Sequence, residues 1–207
     1  MEVREPVALY GKKKFTVEEY LSFEEDSIEK HEYFRGEIFA IHGAGFSAMA
    51  GATLDHNIIA GNFFSELKRQ LKGKSCRPFN SDQRIFVPAN HLFTYPDISV
   101  VCGSPKTKDN DQLNLLNPSV IIEVLSAGTR NYDRGEKFNL YRAISTLREY
   151  ITVDSRSVTA ERWFVNANDR WELQEYKNTG QQINIEALNV IISLRDIYDG
   201  TQAVTIL

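Results

Sequence analysis

A chain of 207 residues, 42% hydrophobic and 25% charged, has the size and balance of one globular domain with a real core. Its formal net charge of −4 excludes bulk, sequence-independent adhesion to nucleic acid, but leaves room for a local basic groove beside an acidic site. No apolar run reaches the length of a membrane span, the charged opening from Met1 to Lys14 has no apolar signal core, and Cys76 and Cys102 lack metal-ligand spacing; the expectation is a cytoplasmic protein with reduced cysteines.

In chain order, Thr16-Val17-Glu18-Glu19 fits a capping box and predicts a short helix to about Glu25. Tyr33-Phe34 and Ile38 to Ile41 flank Arg35-Gly36 and read as a hairpin or bulged strand. The Gly- and Ala-rich stretch from Ala44 to Thr53 reads as a loop. Asp55 to Leu71 follows as a helix, with Ile58, Ile59, Phe63, Leu67 and Leu71 on one broad stripe and Lys68, Arg69, Lys72 and Lys74 at its C-terminal end. Cys76 to Phe79 and Arg84 to Val87 are expected to pair around Asn80-Ser81-Asp82. Asp97 to Cys102 is a strand entered through Pro96, and Gly103 to Asn117 is polar and turn-like.

Val120 to Leu125 is apolar on both faces, as a central strand should be. Ser126 to Asn131 is a loop and Asp133 to Ile144 a helix. Glu149 to Asp154 and Ser157 to Val165 form a hairpin, and further strands are expected at Trp171 to Tyr176, Gln182 to Ile185 and Val190 to Ile192. The apolar segment from Val190 to Leu207 is suited to cover a sheet edge or a dimer contact. No linker or repeat interrupts the chain, so residues 1–207 are read as a single α/β (α+β) domain with a mixed central sheet.

The chemistry lies in the acids placed in or beside apolar strands. A carboxylate inside a hydrophobic strand is costly unless a cation neutralises it. Side chains alternate along a strand, so Ile121, Glu123 and Leu125 share one face, and Asp97 shares its face with Ser99 and Val101. If the two strands are neighbours, Asp97 and Glu123 converge, and hard oxygen ligands of that kind suit Mg²⁺ or Mn²⁺. In the following helix, Asp133, Lys137, Leu140, Tyr141 and Ile144 share a face, which turns Lys137 toward the sheet. A lysine there can hold a phosphate oxygen or orient a water.

The ordered series Pro96-Asp97, Glu123-Val124-Leu125-Ser126, Asp133-Arg134-Gly135-Glu136-Lys137 with Tyr141, and Glu149 to Asp154 resembles the Uma family, restriction-endonuclease-like nucleases of the PD-(D/E)XK superfamily. The similarity runs from about Phe15 to Phe164 and includes Gly36-Glu37 and His56. It implies the restriction-endonuclease-like fold, a mixed central sheet flanked by helices with added hairpins. It matches Asp97 and Glu123 to the two metal-binding acids and Glu37 to the acid from the first part of the fold. The superfamily's lysine two positions after Glu123 is replaced by Leu125, and the resemblance maps that lysine to Lys137. Two further departures, Ala127 for a proline and Arg35 for an aspartate, fall at positions not expected to be ligands.

Singly, each residue also has an ordinary explanation. Pro96-Asp97 is turn chemistry, Glu123 pairs with Arg130 or Arg134, Lys137 pairs with Asp133 on a helix surface, Tyr141 packs in the core, and His56 sits in a cap region. The leading expectation is a Mg²⁺-dependent endonuclease acting on nucleic acid, chiefly DNA. Its catalytic residues are Asp97, Glu123, Lys137, Glu37 and Tyr141, and its metal ligands Asp97, Glu123 and Glu37. A homodimer is expected, because twofold pairs suit cleavage of two strands. The alternatives are a catalytically silent binding or assembly module of the same fold and a hydrolase of small phosphate esters.

Overall fold

The computed structural model describes residues 13–41, 52–126 and 130–204. Most of the Gly- and Ala-rich stretch expected to loop, the position of Ala127 and the end of the C-terminal segment lie outside the described residues.

Helix α1, Val17–Glu25, starts where its capping box predicts. The Thr16 hydroxyl accepts from the Glu19 N–H at 3.1 Å, and the Glu19 carboxylate accepts from the Thr16 N–H at 2.7 Å. Strands β1, His31–Phe34, and β2, Glu37–Ala40, close a two-residue hairpin at Arg35-Gly36. Both turn residues have positive φ, 48° and 87°, the geometry that matches strand twist and favours glycine. Helix α2, Leu54–Gln70, is capped by Thr53 and buries Ile59, Phe63 and Leu67.

Among the described residues, eleven further strands follow: β3, Cys76–Asn80; β4, Arg84–Val87; β5, Leu92–Thr94; β6, Ile98–Cys102; β7, Asn114–Leu115; β8, Val120–Leu125; β9, Glu149–Asp154; β10, Ala160–Val165; β11, Trp171–Tyr176; β12, Gln182–Ile185; and β13, Val190–Ser193. They form a six-stranded sheet in the order β11-β10-β9-β8-β6-β3, a five-stranded sheet in the order β2-β1-β5-β4-β7, and the β12-β13 hairpin. The large sheet is mixed: β8 runs antiparallel to β6 and parallel to β9.

β8 is buried along its whole length. Its even-numbered residues, with Ile98, Val100, Ile151 and Val153, pack on α2, the β12-β13 hairpin and the short helix Leu194–Ile197. On the other face, Ile121, Val101 and Tyr150 pack with Ile85, Val87 and Leu92 of the smaller sheet and with Phe138 and Tyr141. Of the apolar C-terminal segment, Val190, Ile192, Leu194, Ile197 and Tyr198 are core with α2, while Ile191 is 54% exposed.

Two local expectations are corrected. β3 does not pair with β4. It pairs with β6 at the edge of the large sheet, where Pro78, which has no N–H to donate, is tolerated, while β4 joins the smaller sheet. Cys76 and Cys102 face each other directly in the β3-β6 register and form a disulfide rather than two free thiols. The spacing of 26 residues gave no sign of this; strand pairing alone brings the sulfurs together.

Candidate active site

The register of β6 on β8 pairs Ser99 with Ile121 and Ile98 with Ile122, so Asp97, one residue before β6, stands opposite Glu123. The two residues are tied through the backbone. The Asp97 N–H donates to Glu123 Oε2 at 3.2 Å, and the Val124 N–H donates to Asp97 Oδ2 at 2.7 Å. Upstream, Tyr95 is fixed by donating to Glu24 at 2.7 Å and accepting from Arg84 at 3.3 Å, which anchors the entry to Pro96-Asp97.

The third component comes from a composite helix over the sheet: Arg130–Tyr132 is α-helical, Asp133–Lys137 is one π-helical stretch, and Phe138–Tyr141 is α-helical again. Such π turns inside helices recur at functional sites. This one turns Asp133, Lys137 and Tyr141 inward. Lys137 Nζ lies 3.0 Å from Glu123 Oε1, 3.1 Å from Glu32 Oε1 and 3.7 Å from Asp133 Oδ1. Tyr141 Oη donates to the same Glu123 Oε1 at 2.8 Å. Asp97, Glu123, Lys137 and Tyr141 thus meet in one cluster.

Glu37 does not join it. It stands beside the hairpin turn on the edge strand β2, about a third exposed, and pairs with Lys14. The hairpin's acid in the cluster is Glu32 on the inner strand β1, 7% exposed, held by Lys137 and by the Thr94 hydroxyl. Both acids lie on one short hairpin, and only the sheet order says which strand is inner.

His56 is the other residue left off the catalytic set. The first turn of α2 carries it to Asp97, where Nε2 lies 3.4 Å from Oδ2, while its buried Nδ1 has no hydrogen-bond partner. The signal in the sequence was its place beside the N-cap of a long helix. The arginine clasp that would have made Glu123 structural is absent: Arg130 pairs with Asp154 at 2.5 Å and Arg134 with Glu161 at 3.1 Å. Such a clasp does exist in the same sheet, where Arg162 holds Glu149 at 2.5 Å.

The cluster carries excess negative charge. Among the described residues, Glu32, Glu123 and Asp133, each buried, surround the one ammonium of Lys137, and Asp97 adjoins them. Burial pushes the Glu123 carboxyl up to about 8, against the opposing pull of Lys137 and with further upward pushes from Asp133 and Asp97. Burial works against the Lys137 ammonium too, but Glu123 and Glu32 outweigh it and hold its pKa well above the ordinary lysine value. His56 is likewise lowered by burial but raised overall by its contact with Asp97.

Among the described residues, no group of three or more His, Cys, Asp or Glu side chains is placed to hold a metal ion. The donor set nevertheless fits a hard divalent cation in kind and in charge: two carboxylates tied together through the backbone, an imidazole against one of them, and, among the described residues, more carboxylates than cations. Access lies on the Asp97 and His56 side, where the side chains are 20% and 15% exposed, against 6% for Glu123.

The fold has counterparts among known proteins. The model of the Uma2 family ("Putative restriction endonuclease") matches residues 17–195, and the chain belongs to that family. Two Synechocystis proteins are similar along most of their length. "Uncharacterized protein sll1609" is 32% identical over 178 residues, 86% of this chain and 96% of its own. "Uncharacterized protein slr1290" is 33% identical over 187 residues, 90% and 93% respectively. A solved structure from Anabaena variabilis, a "putative nuclease belonging to DUF820", superposes with a TM-score of 0.70 at 17% identity, covering 89% of this chain and 97% of that one. The fold is therefore restriction-endonuclease-like.

Proposed function

We propose that this protein is a metal-dependent phosphodiesterase that cleaves nucleic acid, DNA in the first place. The observation that carries this reading is the convergence of Asp97, Glu123 and Lys137 in a cluster with more carboxylates than cations. Asp97 and Glu123, with His56 beside them, would hold Mg²⁺ or Mn²⁺. A bound divalent ion there supplies Lewis-acid stabilisation of the phosphoryl oxygen and a more acidic water.

The chain's own groups divide the remaining work. Lys137 offsets charge developing on the phosphoryl oxygens or orients the attacking water. Glu32 and Asp133 keep that ammonium charged and in place. Tyr141 fixes Glu123 Oε1, so that Oε2 stays on the Asp97 side. His56 orients Asp97 through Oδ2. No helix among the described residues is long and apolar enough to cross a membrane. The reduced-cysteine argument for a cytoplasmic location falls with the Cys76–Cys102 disulfide.

The test is incubation with supercoiled plasmid and with single-stranded DNA in Mg²⁺ or Mn²⁺. Cleavage is expected from the wild type and not from Glu123→Ala; equal cleavage by both would place the activity elsewhere. One observation favours a second reading, a silent nuclease-like module: both Glu123 oxygens already have protein partners. Calorimetry with Mn²⁺ separates the two, since only the enzyme reading expects the ion to bind.

A further inference from the structure

A second feature sits on the outer side of the composite helix, away from the carboxylates. A cleft of about 540 Å³ opens there, lined among others by Arg134, Phe138, Arg142, Trp163, Arg170 and Trp171. The volume is in the range of small-ligand sites. Its lining is unusual for this chain. Three arginines line it with one acid, Asp169, and among the described residues only Arg134 has a further carboxylate partner, Glu161, although the protein's net charge is −4. Both tryptophans of the sequence are in it.

The aromatic floor is ordered by packing. Phe138 stacks on Tyr150 at 5.1 Å, lies tilted to Trp163 at 5.1 Å and meets Trp171 edge-on at 5.2 Å. Trp163 and Trp171 remain half-buried on β10 and β11. The Arg142 guanidinium stands over the Phe138 ring at 5.9 Å. Arg134 is anchored at Nη2 by Glu161, yet its buried Nε has no hydrogen-bond partner. An added Cβ at Gly135 would meet nothing within 4 Å, so the helix side of the cleft is open. The rim is held by Asn166, whose side-chain oxygen accepts from the N–H groups of Asn168 and Arg170.

Guanidiniums beside half-buried indoles are the chemistry of a flexible nucleic-acid strand: phosphates take the charges and bases stack on the rings. Arg134 has Glu161 as its counter-charge, but a purely apolar partner would leave Arg142 and Arg170 with only Asp169 between them among the described residues. The cleft lies on the same sheet face as Glu123, on strands two and three places away from β8. At the usual strand spacing that is roughly 10 to 15 Å, within reach of one continuous strand. Phe138, next to Lys137, belongs to both regions.

We propose that this cleft binds single-stranded nucleic acid, with a base against Trp163 or Trp171 and flanking phosphates on Arg134, Arg142 and Arg170. The proposal deepens the nuclease reading and rests on it for the identity of the strand's source, but its binding step needs no metal.

The experiment is a titration of intrinsic tryptophan fluorescence with a short oligothymidylate and, separately, an oligouridylate, in EDTA. Saturable quenching is expected, retained by Glu123→Gln, and weakened at least about tenfold by Arg142→Glu combined with Arg170→Glu, both exposed positions. Raising the salt should weaken it further. Quenching by either sugar supports the cleft, and the tighter binder names the source. Absence of quenching, an unchanged affinity in the double variant, or equal quenching by a duplex would overturn the proposal. Metal-dependent cleavage that persists without quenching sinks the cleft alone. Quenching without any cleavage sinks the nuclease reading alone.

Discussion

The backbone N–H of Asp97 donates to Glu123 Oε2 at 3.2 Å, while Asp97 Oδ2 accepts from the N–H of Val124 at 2.7 Å. Each acid is therefore positioned by the strand of the other, and neither carboxylate can be moved without disturbing both. Asp97→Asn and Glu123→Gln keep these acceptors but remove charge. Each should lower Mn²⁺ affinity by about two orders of magnitude or more, since even partners outside a ligand set commonly contribute 10- to 100-fold. Glu37→Ala should leave Mn²⁺ binding unchanged. Calorimetric titration of the three variants reads this directly.

Glu123 also gives a pH signature. Its folded pKa of about 8 lies above the ordinary carboxylate value of 4.5. Below the ordinary value both folded and unfolded chains hold the proton, and the contribution to stability is full. Between the two values only the folded chain holds it, so stability is lost as pH rises toward about 8. Glu123→Gln should remove this loss and make the metal-free protein more stable than wild type at pH 9, while changing little at pH 5. Urea melts in EDTA at the two pH values give the difference. Because a metal competes with that proton, Mn²⁺ affinity should climb over the same interval.

Lys137 is the ammonium on which Glu32, Glu123 and Asp133 converge. Replacing it by methionine leaves buried carboxylates facing one another and should cost about 3 to 5 kcal/mol of stability. Adding Glu32→Gln should recover part of that loss, so the double variant is less destabilised than the two single changes summed. Denaturant unfolding of the four proteins measures the coupling.

The Cys76–Cys102 disulfide closes a loop of 26 residues. On the loop-entropy account, reducing it should lower stability by about 3 to 4 kcal/mol. Protein purified without reductant should show no reactive thiol after unfolding. Two titratable thiols per chain in that assay would mean that the cysteines remain free.

Much of the site was legible because the relevant signals are local. An acid in an otherwise apolar strand, as at Glu123, is visible as a cost without a partner. Helical spacing carried Lys137 and Tyr141 to the same side, and a π turn in place of a regular α turn did not undo that. His56 was visible as a residue but not as a neighbour, because its approach to Asp97 depends on how α2 docks on the sheet.

What the sequence determined by itself is therefore the set of elements and the faces they present: periodicity fixes which side of a strand or helix is apolar, and the ordered acids and lysine mark the family. What only the tertiary structure decided is which strands adjoin. That choice pairs β3 with β6 and joins the cysteines, brings Glu32 rather than Glu37 to Lys137, and assembles the arginine and tryptophan cleft from a helix and a distant hairpin. The reason is physical. Side-chain alternation is local geometry, whereas strand neighbours are selected by how whole apolar faces exclude water together.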